Sequence, residues 1–254
     1  MGYHNSIPIW DGKKFTPVIS NHFYIQNIDT APATITLTKG NTNPQYVPEI
    51  TVEYSKDGIN WSTWGTTSTD AALSMVLQSA EKVYFRANEE HWGDNVILWN
   101  ECRTYFGGGS HIKVGGNIMS LVYGGNFTGE EVTFPTSSGR LAGLFANWSA
   151  LENAEELVLP ATTLPEMVYG QMFRSTNITK GPFLPASHIV HDAYRAMFMS
   201  CANLIEMRVD ALTVADTWAL NSWLPNNSGI FYKNANTSIN WSSYVGGNWT
   251  ITNL

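Results

Sequence analysis

His188 and His191, three residues apart with Asp192 alongside, are the obvious candidates for metal chemistry. On a helix that spacing puts both imidazoles on one face. Zinc accepts such nitrogen ligands, but a site needs further donors from distant parts of the chain. No His-Glu-x-x-His pattern accompanies the pair, so a solvated or capping role is the plainer reading. Carboxylates that could act as acid and base in glycoside hydrolysis are numerous: Glu89, Glu90, Asp94, Glu130, Glu131, Glu152, Glu155 and Glu156. That reaction depends on how far apart two carboxyl groups sit in space, and neighbouring glutamates more often solvate a surface. Cys102 and Cys201 show no Cys-x-x-Cys spacing. They read as two buried free thiols, with a tie between domains as the alternative. No nucleophilic triad or phosphate-binding motif stands out. The expectation is a non-enzymatic protein with no catalytic, metal-binding or cofactor-binding residue.

The composition bounds what can carry these side chains. Of 254 residues, 43% are hydrophobic and 14% charged, against roughly 25% charged in ordinary soluble domains. Asn, Thr, Ser and Gly must therefore face much of the water. A net charge of −7 without a Lys/Arg run argues against a nucleic-acid partner, which demands a cationic face. No apolar run of about 18 residues could span a bilayer, so no membrane insertion is expected. The first ten residues lack the cationic-then-apolar order of an export signal. The length favours two domains over one.

A phrase repeats in the second half. Leu159-Pro160-Ala161 returns as Leu184-Pro185-Ala186, and Tyr169-x-x-Met172-Phe173 returns as Tyr194-x-x-Met197-Phe198. Leu144-Phe145 and Val209-Asp210-Ala211 with Trp223 are fainter echoes. A fixed period in the range of about 20–50 residues is the mark of a solenoid, in which stacked units bury a shared core. Tyr169, Met172 and Phe173 fall at i, i+3 and i+4, which predicts a short helix with one apolar face over 165–173. The expected repeat core is Leu159, Tyr169, Met172, Phe173, Leu184, Tyr194, Met197 and Phe198.

The first half alternates apolar and polar residues with the period of strands: His22–Asn27, Ala33–Thr38, Glu49–Tyr54, Leu73–Leu77 and Lys82–Ala87. Asp57-Gly58 between such runs predicts a hairpin. The segment Tyr54 to Trp61 approaches the Asp-box of sialidase propellers, but its glycine comes one residue early and it occurs once. A structural hairpin with Trp61 at its base is preferred. Gly107-Gly108-Gly109, Gly115-Gly116 and Gly124-Gly125 suggest a connector of turns. Four Asn-Trp-Ser/Thr triplets, at Asn60, Asn147, Asn240 and Asn248, could stack on a sugar. Core or strand-end tryptophans are the plainer reading.

The units Leu-Pro-Ala…Tyr-x-x-Met-Phe resemble the bacterial surface-antigen class of leucine-rich repeat found in cell-surface proteins of gut Bacteroidetes and in virion proteins of their phages. Tyr54 to Trp61, Gly116 to Leu121 and Tyr123 to Phe127 are similar to segments that precede such repeats in whole proteins of that group. The resemblance implies adhesion or assembly and supplies no catalytic residue. The expected fold is mainly β, an immunoglobulin-like β-sandwich followed by a short leucine-rich-repeat solenoid with short helices. The divisions are an N-terminal arm (1–19), the sandwich (20–105), a Gly-rich connector and cap (106–138), the solenoid (139–228) and a C-terminal cap (229–254). The arm carries Ile7, Ile9 and Trp10 as a docking peptide, with an ordinary first strand as the alternative. The expected role is a phage virion component, a fibre, tail or capsid-surface protein for host attachment or assembly. The alternative is a surface adhesin or glycan-binding protein of a gut bacterium. Partners would be other virion proteins, or a host surface protein or glycan. A homo-oligomer is allowed without a fixed subunit number.

Overall fold

A computed structural model describes residues 21–40, 48–68, 70–93 and 103–254. The arm residues Ile7, Ile9 and Trp10, together with Cys102, lie outside the described residues. The chain is mainly β. Its first nine strands are β1 (Tyr24–Asn27), β2 (Ala33–Lys39), β3 (Thr51–Ser55), β4 (Ser62–Thr66), β5 (Leu73–Leu77), β6 (Lys82–Ala87), β7 (His91–Gly93), β8 (Thr104–Gly108) and β9 (Ile112–Asn117). A one-turn helix α1 (Ser120–Tyr123) follows. Then come β10 (Arg140–Leu141), β11 (Leu151–Val158), β12 (Lys180–Leu184), β13 (His188–Ile189), β14 (Glu206–Val209), β15 (Thr213–Val214), β16 (Ser228–Lys233) and β17 (Asn248–Asn253).

Alternation dictates the first core. In β2, Ala33, Ile35 and Leu37 are buried while the threonines between them are not, as a strand with one wet face requires. β5, β2 and β8 form one antiparallel sheet, and a six-stranded sheet has the order β11-β9-β1-β6-β3-β4. Rings join the two. Phe106 of β8 lies 5.6 Å from Phe23 and 5.8 Å from Phe85 of β6, centroid to centroid. Such pairs contribute about 0.5–1.5 kcal/mol beyond their buried area. β3 and β4 form the hairpin that Asp57-Gly58 signals. The Asp57 carboxylate accepts the amides of Ile59 and Asn60 at 2.8 Å and the Ser55 hydroxyl at 2.8 Å. The Asn60 and Ile59 amide bonds hold its pKa far below the ordinary carboxylate value. This segment is thus a turn that ties itself together.

Residues 104–117, whose glycines suggest turns, instead supply two strands. β8 pairs with β2, and β9 lies between β1 and β11. The glycines matter locally: Gly108 and Gly109 take φ of 77° and 73° in the reversal between these strands, a region that favours glycine. Since β9 runs antiparallel to β1 and parallel to β11, the first sheet passes directly into the second half of the chain.

That half stacks in parallel. β12, β14, β16 and β17 are consecutive neighbours in a four-stranded sheet, every pairing parallel. Behind them, the segment expected to be a short helix over 165–173 is not helical. It is a ribbon of overlapping turns. Met172, Arg174 and Thr176 each donate an amide proton to the carbonyl three residues back. The intervening amides of Tyr169, Gln171, Phe173 and Ser175 donate to the carbonyls of Ala193, Arg195, Met197 and Met199 in the next coil. The same scheme relates 141–147 to 168–174, and Tyr194, Ala196 and Phe198 to Ala219, Asn221 and Trp223. Alternate amides therefore close turns and bond coil to coil, so the ribbon can be buried without orphaned donors.

Every second turn needs its third residue at positive φ, as a type II turn does. Gly143, Asn147, Gln171, Ser175, Ala196, Ser200 and Ser222 fill those places at φ between 51° and 66°. These positive-φ turns start every four residues, as at Tyr169 and Phe173, which is close to the 3.6 residues of a helical turn. The spacing alone does not separate the two. Among the described residues no helix is long and apolar enough to cross a membrane.

Candidate functional site

All eight repeat residues sit inside. Leu159, Tyr169, Met172, Phe173, Leu184, Tyr194, Met197 and Phe198 are each at most 1% exposed. The rings of Phe173 and Phe198 are parallel within 2° at 5.3 Å, and those of Tyr169 and Tyr194 stack at 6.2 Å. Phe145 extends the column at 5.4 Å from Phe173. Such residues build the stack and touch nothing outside. The Tyr169 hydroxyl is buried and finds no hydrogen-bond partner; burial pushes its pKa well up.

The carboxylates weighed for hydrolysis mostly hold structure. Glu89 accepts the His91 amide at 2.7 Å, and Glu90 accepts the Thr136 amide at 2.9 Å. Glu131 caps the Thr128 and Gly129 amides. Glu152 meets His111 at 2.9 Å, and Glu155 meets Lys180 at 3.2 Å. Glu156 accepts from the Tyr24 hydroxyl and, at 2.5 Å, from Lys113. Burial works against its charge, but these two donors outweigh burial and its pKa lies below the ordinary value. Asp94 falls outside the described residues. Cys201 is a buried free thiol that donates to the Phe173 carbonyl.

His188 and His191 do not share a helix face. His188 opens β13, which pairs in parallel with β15, and its Nδ1 lies 2.7 Å from the Thr213 hydroxyl. Asp216 lies 2.7 Å from His191 Nδ1. Both contacts span 25 residues, one coil of the stack. Among the described residues no group of three or more His, Cys, Asp or Glu is placed to hold a metal ion.

Around His191 a small polar ring closes on the surface. His191 Nε2 approaches Asp192 Oδ2 at 3.6 Å, and Arg195 reaches the same oxygen at 3.4 Å. The Arg195 guanidinium lies over the Trp218 ring at 4.9 Å. Asp216 Oδ1 accepts the amides of Trp218 and Ala219 at 2.9 and 3.0 Å, fixing the turn that presents the indole. The hydrogen bond to Asp216 raises the His191 pKa above its ordinary value. Asp192 is 4% exposed, with Oδ1 unpartnered.

Trp218 is 48% exposed and is the one exposed tryptophan among the described residues. Sequence reasoning passed over it in favour of the Asn-Trp-Ser/Thr triplets. Trp148, Trp241 and Trp249 of those triplets are buried, and Trp61 is half-buried against His22 at 4.6 Å. A usable signal was present. Asp216 lies one 25-residue step beyond His191, and Trp218 follows where the preceding coils carry no aromatic residue.

A groove of about 560 Å³ lies elsewhere, bordered by Thr36, Thr38, Tyr105, Gly107, Asn147 and Ser149. Arg103 enters it, lying over Tyr105 at 4.6 Å and donating to the Ala146 carbonyl at 3.3 Å. Burial lowers its pKa to about 10.

No protein-family model, curated protein or solved structure matches this chain.

Proposed function

We propose that this protein is a non-enzymatic phage virion component, a fibre, tail or capsid-surface protein, that attaches to a host surface or to a neighbouring virion subunit. In this reading residues 20–105 are an immunoglobulin-like sandwich and 139–228 a short leucine-rich-repeat solenoid of the surface-antigen class. One observation carries it: alternate amides of each turn ribbon bond the next ribbon, backbone to backbone. Rigidity then resides in the main chain and the buried columns. Outward side chains are free to vary with the partner, which is what an adhesive platform requires. The resemblance of the repeat units supplies the biological setting.

The second reading, a cell-surface adhesin or glycan-binding protein of a gut bacterium, is favoured by the exposed Trp218. Gold-labelled antibodies against this chain, applied to purified particles and to cell envelopes from the source culture, separate the two. Label on particles is expected. Label confined to particle-free envelopes selects the adhesin, and label on neither overturns both.

A further inference from the structure

The ring of charged groups around Trp218 restricts what can rest on the indole. A cationic ligand would ordinarily be drawn to an exposed tryptophan face, but the Arg195 guanidinium already lies over that ring at 4.9 Å and would repel it. An anionic ligand would meet the Asp216 carboxylate, which is partly exposed and fixed beside Trp218 by two amide bonds. Like charges brought together in this way oppose binding. What remains is an uncharged molecule with an apolar face for the indole and hydroxyls for the carboxylate and guanidinium.

We propose that Trp218, Arg195, Asp216 and His191 form a binding site for a neutral saccharide. The indole stacks on the C–H face of one sugar ring. Asp216 accepts from sugar hydroxyls, and Arg195 donates to them. Both pyranose requirements, a flat apolar patch and charged hydrogen-bonding groups at its rim, are met within one turn of one coil and its neighbour. Because His191 and Asp192 come from the preceding coil and Asp216 and Trp218 from the next, the site depends on correct stacking. The inference rests on reading this chain as an adhesive surface, whether of a particle or of a cell.

The test is a glycan array bearing neutral, amino and acidic saccharides, probed with the intact chain, Trp218→Ala and Ile59→Ala. Ile59 is 72% exposed on the distant hairpin and serves as the control. Each hit is then titrated by calorimetry. Expected are neutral hits bound equally by the chain and Ile59→Ala but about tenfold more weakly by Trp218→Ala, the loss of one stacking contact. Unchanged melting of Trp218→Ala shows that the fold is intact. Neutral hits that Trp218→Ala binds as tightly as the parent overturn this site and leave the adhesive reading standing. Binding to acidic or amino sugars alone overturns the exclusion by charge. No hit at all overturns the site and leaves assembly as the role.

Discussion

The Tyr24 hydroxyl donates to Glu156 across Gly115, joining β1 to β11 over the strand between them. The three residues occupy one row of the sheet, and the bond exists because the middle residue has no side chain. A Cβ at Gly115 would overlap the Tyr24 ring and hydroxyl. Gly115→Ala should therefore cost about 1–3 kcal/mol by overpacking, read by urea unfolding. Tyr24→Phe should also destabilise, by about 1.5–3 kcal/mol for a bond to a charged acceptor. If the double variant costs no less than the two singles added, the row is not the source of the effect.

Two histidines should respond to acid in opposite directions. His22 lies between Trp61 at 4.6 Å and Phe127 at 4.8 Å. Burial first, then the charge of Arg86, lowers its pKa from 6.5 to about 4. The unfolded chain binds a proton near pH 6.5 and the folded chain does not, so stability falls as the pH drops from about 6.5 to about 4. His22→Gln should flatten that window in denaturation series at pH 7, 5.5 and 4.5.

His191 has the reverse sign. Its pKa is raised, chiefly by the hydrogen bond to Asp216, so its contribution is full below pH 6.5 and is lost as the pH rises through the raised value. Imidazole proton shifts followed by NMR should show His191 titrating above a free histidine, and Asp216→Asn should bring it down. A titration unmoved by Asp216→Asn would mean that the contact is not formed in solution.

Ser200 sits in a type II turn at φ of 64°. A β-branched residue is poorly tolerated there, and Ser200→Val should cost about 1–2 kcal/mol. Ser200→Gly should be close to neutral, because relief of the backbone offsets the added freedom of the unfolded chain. Urea midpoints for the pair test this, and equal losses would argue against the turn.

Tyr169 leads to an unusual expectation. Its hydroxyl is buried without a partner, a state that costs about 1–3 kcal/mol. Tyr169→Phe keeps the stack on Tyr194 and should raise the melting temperature. Phe173→Ala, by contrast, empties the column and should cost about 3–5 kcal/mol. A lower melting temperature for Tyr169→Phe would mean that the hydroxyl is bonded in solution.

The mainly β class was legible because its signals are local. Ala33, Ile35 and Leu37 alternate with threonines, and Asp57-Gly58 marks its hairpin within four residues. The 25-residue step was legible too, since backbone pairing brings the same side chain to the same place, as with Phe173 over Phe198. The turn ribbon was not. Tyr169, Met172 and Phe173 suit a helix as well as tandem turns, and the positive φ of Gln171 and Ala196 falls on residues that do not advertise it. The glycines of 107–116 hid two strands because Gly115 is bare to admit Tyr24, a partner 91 positions away that no local pattern reveals. Trp218 escaped notice because exposure is a property of the packed coil.

Leu141, Tyr169, Tyr194 and Leu220 hold equivalent places in successive ribbons, each accepting the amide three residues on, so successive coils are of unequal length yet bond in the same way. The surplus residues must bulge at the corners, outside the ladder. Evolution can therefore insert or delete at those corners, or duplicate a whole coil, and leave the existing register untouched. The molecule is in that sense extensible by units, and its reach could be tuned across relatives without redesigning its interior.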